Sequence, residues 1–199
     1  VLQSRPGVIK DPVGTFPAAS FYLAYHGLDN RQIIEALGRL FRAKAPGLAY
    51  VAPHLANWEP PARTDRRVRL GILSRYLSGH TIGRIFRALI SHLDARRFHI
   101  VVIHTPESGP DEITEQINAA ADTVVTLPPG ISARRRCLSE LALDVLFFPD
   151  IGMDAGTYLL AHSRLAPVQV TAWGHPDTSG LATMDYFISS ALVEPDGAD

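Results

Sequence analysis

Val68-Arg69-Leu70-Gly71-Ile72-Leu73-Ser74 and, further along, Phe98-His99-Ile100-Val101-Val102-Ile103-His104 are the stretches whose reading decides the fold. Both are apolar runs rather than alternations, the pattern a strand needs when both faces of its sheet are covered. Between them Ile82, Ile85, Phe86, Leu89, Ile90 and Leu93 recur at a 3.6-residue period, which predicts a helix over 82–93. The alternation continues downstream. Asp111 opens a short helix to about Ala121, Thr123–Leu127 is a strand, and Ser132 caps a helix to Ala142. Asp144–Pro149 is a near-continuous apolar strand, a helix covers 155–163, and Val168–Trp173 and Tyr186–Ser189 are strands. Strand–helix–strand repetition with short connections predicts right-handed crossovers and a doubly wound, open parallel sheet: an α/β, Rossmann-like domain.

The N-terminal part has another texture. Residues 1–16 carry Pro6, Gly7, Pro12 and Gly14 and read as an irregular lead-in, with Pro17 just beyond. Phe16–His26 is apolar with small residues, and Gly27 is a natural stop. Asn30 can cap the next helix, its side-chain oxygen accepting an orphan N–H. Ile33, Ile34, Leu37, Leu40 and Phe41 then form one apolar stripe that ends at Pro46-Gly47. Such a helical hairpin needs something to pack against, either an upstream helical array or the domain that follows. From Val51 to Arg69, Pro53, Pro60 and Pro61 precede Arg63, Arg66, Arg67 and Arg69, a solvated linker flanking the first strand. The expected division is a helical lead-in and linker over 1–62 and a Rossmann-like lobe over 63–199.

Composition narrows the function classes. The chain has 199 residues, 46% hydrophobic, with 19 Lys+Arg against 20 Asp+Glu and a formal charge of −1. That balance gives no electrostatic case for nucleic acid or an anionic membrane surface. One cysteine, Cys137, excludes an internal disulfide and a cysteine-rich metal site, and reads as core rather than nucleophile. The apolar runs are strand-sized and no secretory leader is visible, so a cytoplasmic protein is expected.

In sheets of this kind ligands bind beyond the carboxyl ends of the strands. Segments 74–83, 105–110, 128–130, 149–154 and 174–180 fall there. Ser78-Gly79-His80-Thr81 stands just ahead of a helix, where the helix dipole lowers a histidine pKa and favours the neutral ring. No G-x-G-x-x-G follows the first strand, which disfavours dinucleotide binding, and no G-x-x-x-x-G-K-[ST] or G-x-S-x-G is present. Gly174-His175-Pro176-Asp177-Thr178-Ser179-Gly180 is the densest polar turn, a ligand loop or a structural one. Asp150 and Asp154 lack a third ligand, so turn and cap roles fit them better than a metal. His26, His54, His92, His99, His104 and His162 share no metal-ligand spacing, with His104 held in reserve as a strand-end residue. Arg134-Arg135-Arg136 reads as a solvated helix face.

Three groups of residues resemble the catalytic region of the O-linked N-acetylglucosamine transferases, the family 41 glycosyltransferases that include SPINDLY-like bacterial members. These are Arg69–Ser74 with His80 six positions later, Leu165-Ala166-Pro167-Val168-Gln169, and Gly174–Gly180 followed by Met184-Asp185-Tyr186. The block from Leu165 to Tyr186 fits without a gap, and the likeness runs from Val68 to Glu194. In bacterial members a comparable helical segment joins tetratricopeptide repeats to the catalytic region, as 16–52 would here. The resemblance implies the N-terminal lobe of a two-lobed (GT-B) enzyme. UDP-sugar is then the donor substrate, held mainly by a C-terminal lobe, the acceptor is a protein or peptide, and no metal or cofactor is demanded. It implies that His80 is the active-site histidine, and that Gly79, Thr81, Gly174, His175, Pro176, Thr178, Ser179 and Gly180 shape the substrate cleft. Arg84 stands where the family often has a second histidine, and Arg135, Arg136 and Leu138 stand where animal members carry an acid and a histidine. The chain stops at Asp199, where the family continues into its UDP-binding lobe, so the expected function is the acceptor-side half of a protein O-glycosyltransferase, incomplete for catalysis on its own. A partner-binding lobe and glucose transfer to asparagine are the alternatives.

Overall fold

The computed structural model describes residues 7–10, 12–15, 20–59, 66–192 and 194. Its elements in chain order are α1 (Pro12–Thr15), α2 (Arg31–Lys44), β1 (Val68–Ser74), α3 (Thr81–His92), β2 (Phe98–His104), α4 (Glu112–Ala119), β3 (Thr123–Thr126), α5 (Ile131–Glu140), β4 (Val145–Phe148), α6 (Ala155–Ala161), β5 (Val168–Ala172) and β6 (Tyr186–Ile188). The six strands form one parallel sheet in the order β3-β2-β1-β4-β5-β6. The α/β open-sheet expectation holds, and the two deciding stretches pair in register along their whole length, Val68 with Phe98 through Ser74 with His104.

The apolar runs are explained by the two cores they feed. Leu73, Val101, Ile103, Leu146 and Phe148 face one layer with Leu138, Leu159, Leu160 and the lead-in residues Phe41 and Leu48. Their chain neighbours Ile72, Ile100, Val102 and Phe147 face the other, with Ile82, Phe86 and Ile90 of α3 and Ile117 of α4. Strand side chains alternate between faces, so a strand covered on both sides reads as unbroken hydrophobicity. Each fully buried Leu, Ile or Phe stabilises the fold by about 1.5–3 kcal/mol. β6 is an edge strand, with Tyr186, Phe187 and Ile188 all exposed.

Several local expectations are corrected. Pro12–Thr15 is a helical turn within the lead-in expected to be irregular, and of the segment 16–26 the described part, 20–26, forms a 3-10 helix over Phe21–His26. Gly27 does end it, in the left-handed region at φ 65°. Asn30 stands at the N-cap of α2 but makes no side-chain cap bond. Its Nδ2 donates instead to Leu23 O and Asp177 Oδ2, both at 3.0 Å. Ser132 is not a cap either; the N-cap is Gly130, two residues earlier, and α5 starts at Ile131. Arg66 and Arg67 are paired rather than free: Arg66 with Asp144 at 2.7 Å, and Arg67 with Asp122 at 2.7 Å. Arg69 donates from Nε to Leu141 O. All three lie at the amino ends of the strands, away from the ligand edge. Pro60, Pro61, Arg63 and the expected 62/63 boundary lie outside the described residues, as do Pro6, Phe16 and Pro17.

The Arg134–Arg136 triplet is the clearest reversal, since only Arg136 is exposed. Arg134 donates to Glu107 and to Pro128 O, tying the loops after β2 and β3 together. Arg135 donates to Gly47 O and lies 5.5 Å over the Tyr50 ring. A guanidinium on a long apolar stem can cross a packed layer when a carbonyl and an aromatic face meet it. Of the two settings open to the helical hairpin, packing on the following domain is what the contacts show.

Candidate functional site

The strand order reverses between β1 and β4, and the loops leaving these two strands flank the crevice where open α/β sheets take ligands. The two loops are stitched together. Ser74 Oγ donates to Asp150 Oδ2 at 2.8 Å and accepts from the Tyr76 N–H at 2.9 Å. Arg75 pairs with Asp154 at 3.1 Å, and Tyr76 OH donates to Met153 O at 3.4 Å. Asp154 also caps α6 by accepting from Thr157 N, so Asp154 is a cap and Asp150 an internal anchor rather than two arms of a metal site. Among the described residues no three of His, Cys, Asp or Glu come together as metal ligands.

His80 stands on this crevice as the N-cap of α3. Its Nδ1 lies 3.2 Å from Ile82 N and accepts that N–H. An imidazole nitrogen that accepts must carry a lone pair, so the neutral ring has its proton on Nε2. Tyr76 stacks on it, ring centroids 4.5 Å apart and 30° between planes. Burial pushes the His80 pKa down. The direction is the one expected from its place before a helix, but burial rather than the helix dipole is the cause. Behind it, Gly79 N–H donates to Asp111 Oδ2 at 2.5 Å, while the other oxygen caps α4 at Thr114 N. Glycine at 83 lets the turn fold this tightly, since a Cβ there would lie 2.0 Å from Ser78 O.

No protein-family model matches the chain. A UDP-glucose:protein N-beta-glucosyltransferase of Actinobacillus pleuropneumoniae serotype 5b (strain L20) is 26% identical over 136 residues, 67% of this chain and 21% of that protein. A probable UDP-N-acetylglucosamine–peptide N-acetylglucosaminyltransferase SPINDLY of Oryza sativa subsp. japonica is 28% identical over 152 residues, 72% of this chain and 16% of that protein. A mutant O-GlcNAc transferase of Thermobaculum terrenum superposes with a TM-score of 0.71 at 23% identity, covering 89% of this chain and 34% of that one. In sequence the chain is similar to these UDP-sugar-dependent protein glycosyltransferases, and in fold to the bacterial O-GlcNAc transferase. It spans about a fifth or less of the curated relatives it matches.

The structure separates the residues that the sequence grouped. Gly79, His80 and Thr81 stand together on the crevice. Gly174 touches it, because a Cβ there would meet Pro149 O at 2.3 Å and Ile82 Cδ1 at 3.0 Å. From His175 onward the loop turns into the helical lead-in. His175 is buried, its Nε2 3.3 Å from Phe21 O and its ring 5.5 Å from the Phe21 ring. Asp177 accepts from Asn30, and Gly180, at φ 62°, packs on Ile34, where a Cβ would come within 2.7 Å. Pro176 and Thr178 are exposed. Thr178, Ser179 and Gly180 line a cavity of about 870 Å³ with Arg31 and Tyr186, on the α2 side of β6 and not beside His80. The reserve histidine, His104, is buried against Asn118 Oδ1 at 2.7 Å. Cys137 packs against a core layer, and burial pushes its thiol up.

Sequence reasoning passed over Tyr76, read Asp111 only as the start of a helix and missed its bond to Gly79, and gave Asp150 only a turn or cap role. Asp111 and Asp150 carried a usable signal, being carboxylates in loops that leave apolar strands. Tyr76 carried none, because what matters is its stacking on a ring four residues away. Among the described residues no helix is long and apolar enough to cross a membrane.

Proposed function

We propose that this chain is the acceptor-side lobe of a UDP-sugar-dependent protein glycosyltransferase that moves N-acetylglucosamine onto Ser or Thr hydroxyls. In this reading the acceptor hydroxyl attacks the anomeric carbon, its proton leaves, and UDP departs with the bonding electrons. The observation that carries the role of this lobe is the His80 geometry at the strand-order reversal. With Nδ1 occupied by Ile82 N–H and the ring kept neutral by burial, Nε2 is a hydrogen-bond donor. A donor there orients an oxygen of sugar or acceptor rather than removing its proton. His80 is therefore assigned a positioning and polarising role, and the proton goes to another group or to water. Gly79 and Thr81 shape the same rim, while Thr178 and Ser179 offer hydroxyls on a separate surface. In this reading the nucleotide is held mainly by a second lobe of the enzyme. The Actinobacillus relative favours a second reading, glucose to asparagine, on the same crevice.

The test is transfer by the full-length protein encoded with this lobe, with UDP-N-acetylglucosamine and UDP-glucose offered in parallel to Ser/Thr and Asn peptides, read by mass spectrometry. N-acetylglucosamine on Ser or Thr, with turnover falling at least tenfold in His80→Ala, supports the proposal. Glucose on Asn moves the assignment to the second reading. No transfer from either donor, or an unaffected His80→Ala, overturns it and favours a partner-binding lobe.

A further inference from the structure

We propose that Asp150 is a positioning residue for His80, acting through Ser74 and Tyr76. The inference rests on the reading of His80 as the working group of the crevice. Asp150 is 2% exposed at the end of β4, and no solvent is available to satisfy its carboxyl. Its Oδ2 accepts a hydrogen bond from the Ser74 hydroxyl at 2.8 Å, which leaves the Ser74 oxygen lone pairs to accept from the Tyr76 N–H at 2.9 Å. That bond sets the direction in which the chain leaves β1, and so the place of the Tyr76 ring. The ring is held at its far end by Met153 O, from the loop that begins with Asp150. Its face is the plate on which the His80 imidazole lies, 4.5 Å away.

Two strands adjacent in the sheet but far apart in sequence thus specify one imidazole orientation. The Nδ1 bond to Ile82 alone leaves the ring free to swing about that contact. The stacked Tyr76 removes that freedom and leaves Nε2 aimed outward. The groups facing Asp150 are Ser74 and the Tyr76 amide from β1, Asp154 from the start of α6, and Gly174 from the loop after β5. Asp154 is the charged one, and it acts in the same direction as burial, keeping the proton on Asp150. A protonated carboxyl still accepts through its carbonyl oxygen, so the chain of contacts does not depend on that proton.

The experiment reads His80 directly, by ¹⁵N chemical shifts of the imidazoles and their titration in this chain, with the His80 signal assigned from His80→Gln. The native signals should show an unprotonated Nδ1, a protonated Nε2 and a midpoint below the ordinary value of about 6.5. Asp150→Leu and Ser74→Ala should each broaden or shift that pattern and move the midpoint up toward 6.5. Asp150→Asn, which can still accept from Ser74, should return it toward the native position. In the full-length enzyme the Leu and Ala variants should lose turnover by on the order of tenfold to a hundredfold, with substrate KM little changed. Should Asp150→Leu fail to fold, Ser74→Ala decides alone. Folded variants with native His80 shifts and midpoint overturn the proposal. An inactive wild-type enzyme overturns the transferase reading instead, and the NMR comparison still decides the positioning claim.

Discussion

Burial pushes the Asp150 carboxyl up to about 7 from its ordinary 3.8. Between those two values the native state holds a proton that the unfolded chain has released. Its contribution to stability is therefore complete below about pH 4 and is lost as pH rises through 7. His162 is the opposite case. Burial, reinforced by the Arg42 and Arg135 charges, pushes it down from 6.5 to about 4. The unfolded chain then binds a proton that the native state refuses, so this contribution is complete above 6.5 and lost as pH falls to 4. At 1.36 kcal/mol per pK unit the two swings are on the order of 4 and 3 kcal/mol. They run against each other from pH 4 to 6.5, so over that window the two slopes cancel. Asp150→Asn removes one of them. Urea denaturation of wild type and variant at closely spaced pH values should show the variant gaining on wild type by on the order of 4 kcal/mol between pH 4 and 8. His162→Leu should gain on wild type by about 3 kcal/mol as pH falls from 6.5 to 4. A difference between Asp150→Asn and wild type that stays within about 1 kcal/mol across the whole range would refute the buried, protonated carboxyl.

Three further outcomes follow from close contacts. Gly83→Ala places a Cβ against the Ser78 backbone and should cost about 3 kcal/mol, read as a lower denaturant midpoint; Gly47→Ala, with open space around it, should lose far less. Asn30→Ala removes one hydrogen bond within the lead-in, to Leu23 O, and one that pins it to Asp177. It should cost about 1–3 kcal/mol and speed amide exchange selectively in α2, an outcome that uniform exchange would contradict. Cys137, its thiol pushed up by burial, should react with iodoacetamide far more slowly in the native chain than in urea at pH 8; equal rates would place it in solvent.

The fold was readable because periodicity is a local property. A strand between two layers must be apolar at every position and a helix on a sheet must repeat every 3.6 residues, so Val68–Ser74, 82–93 and Phe98–His104 announce themselves without their partners. The place of His80 was equally readable, since the end of a first strand before a helix is a position in the chain as much as in space. Side-chain partners were not readable in the same way. Asn30 has the chemistry of a cap, yet a carboxylate 147 positions away takes its amide. Arg134 and Arg135 have the composition of a solvated face, yet Glu107 and the Gly47 carbonyl with the Tyr50 ring draw them inside. The polar turn at 174–180 has the residues of a ligand loop, yet Phe21 and Ile34 come down on His175 and Gly180 from the other end of the chain. The sequence by itself determined the layers, the strand spans and the histidine at the crevice, because spacing alone encodes them. Only the tertiary structure decided which polar groups meet, because a hydrogen bond depends on distances of a few ångströms between segments whose separation along the chain carries no record of it.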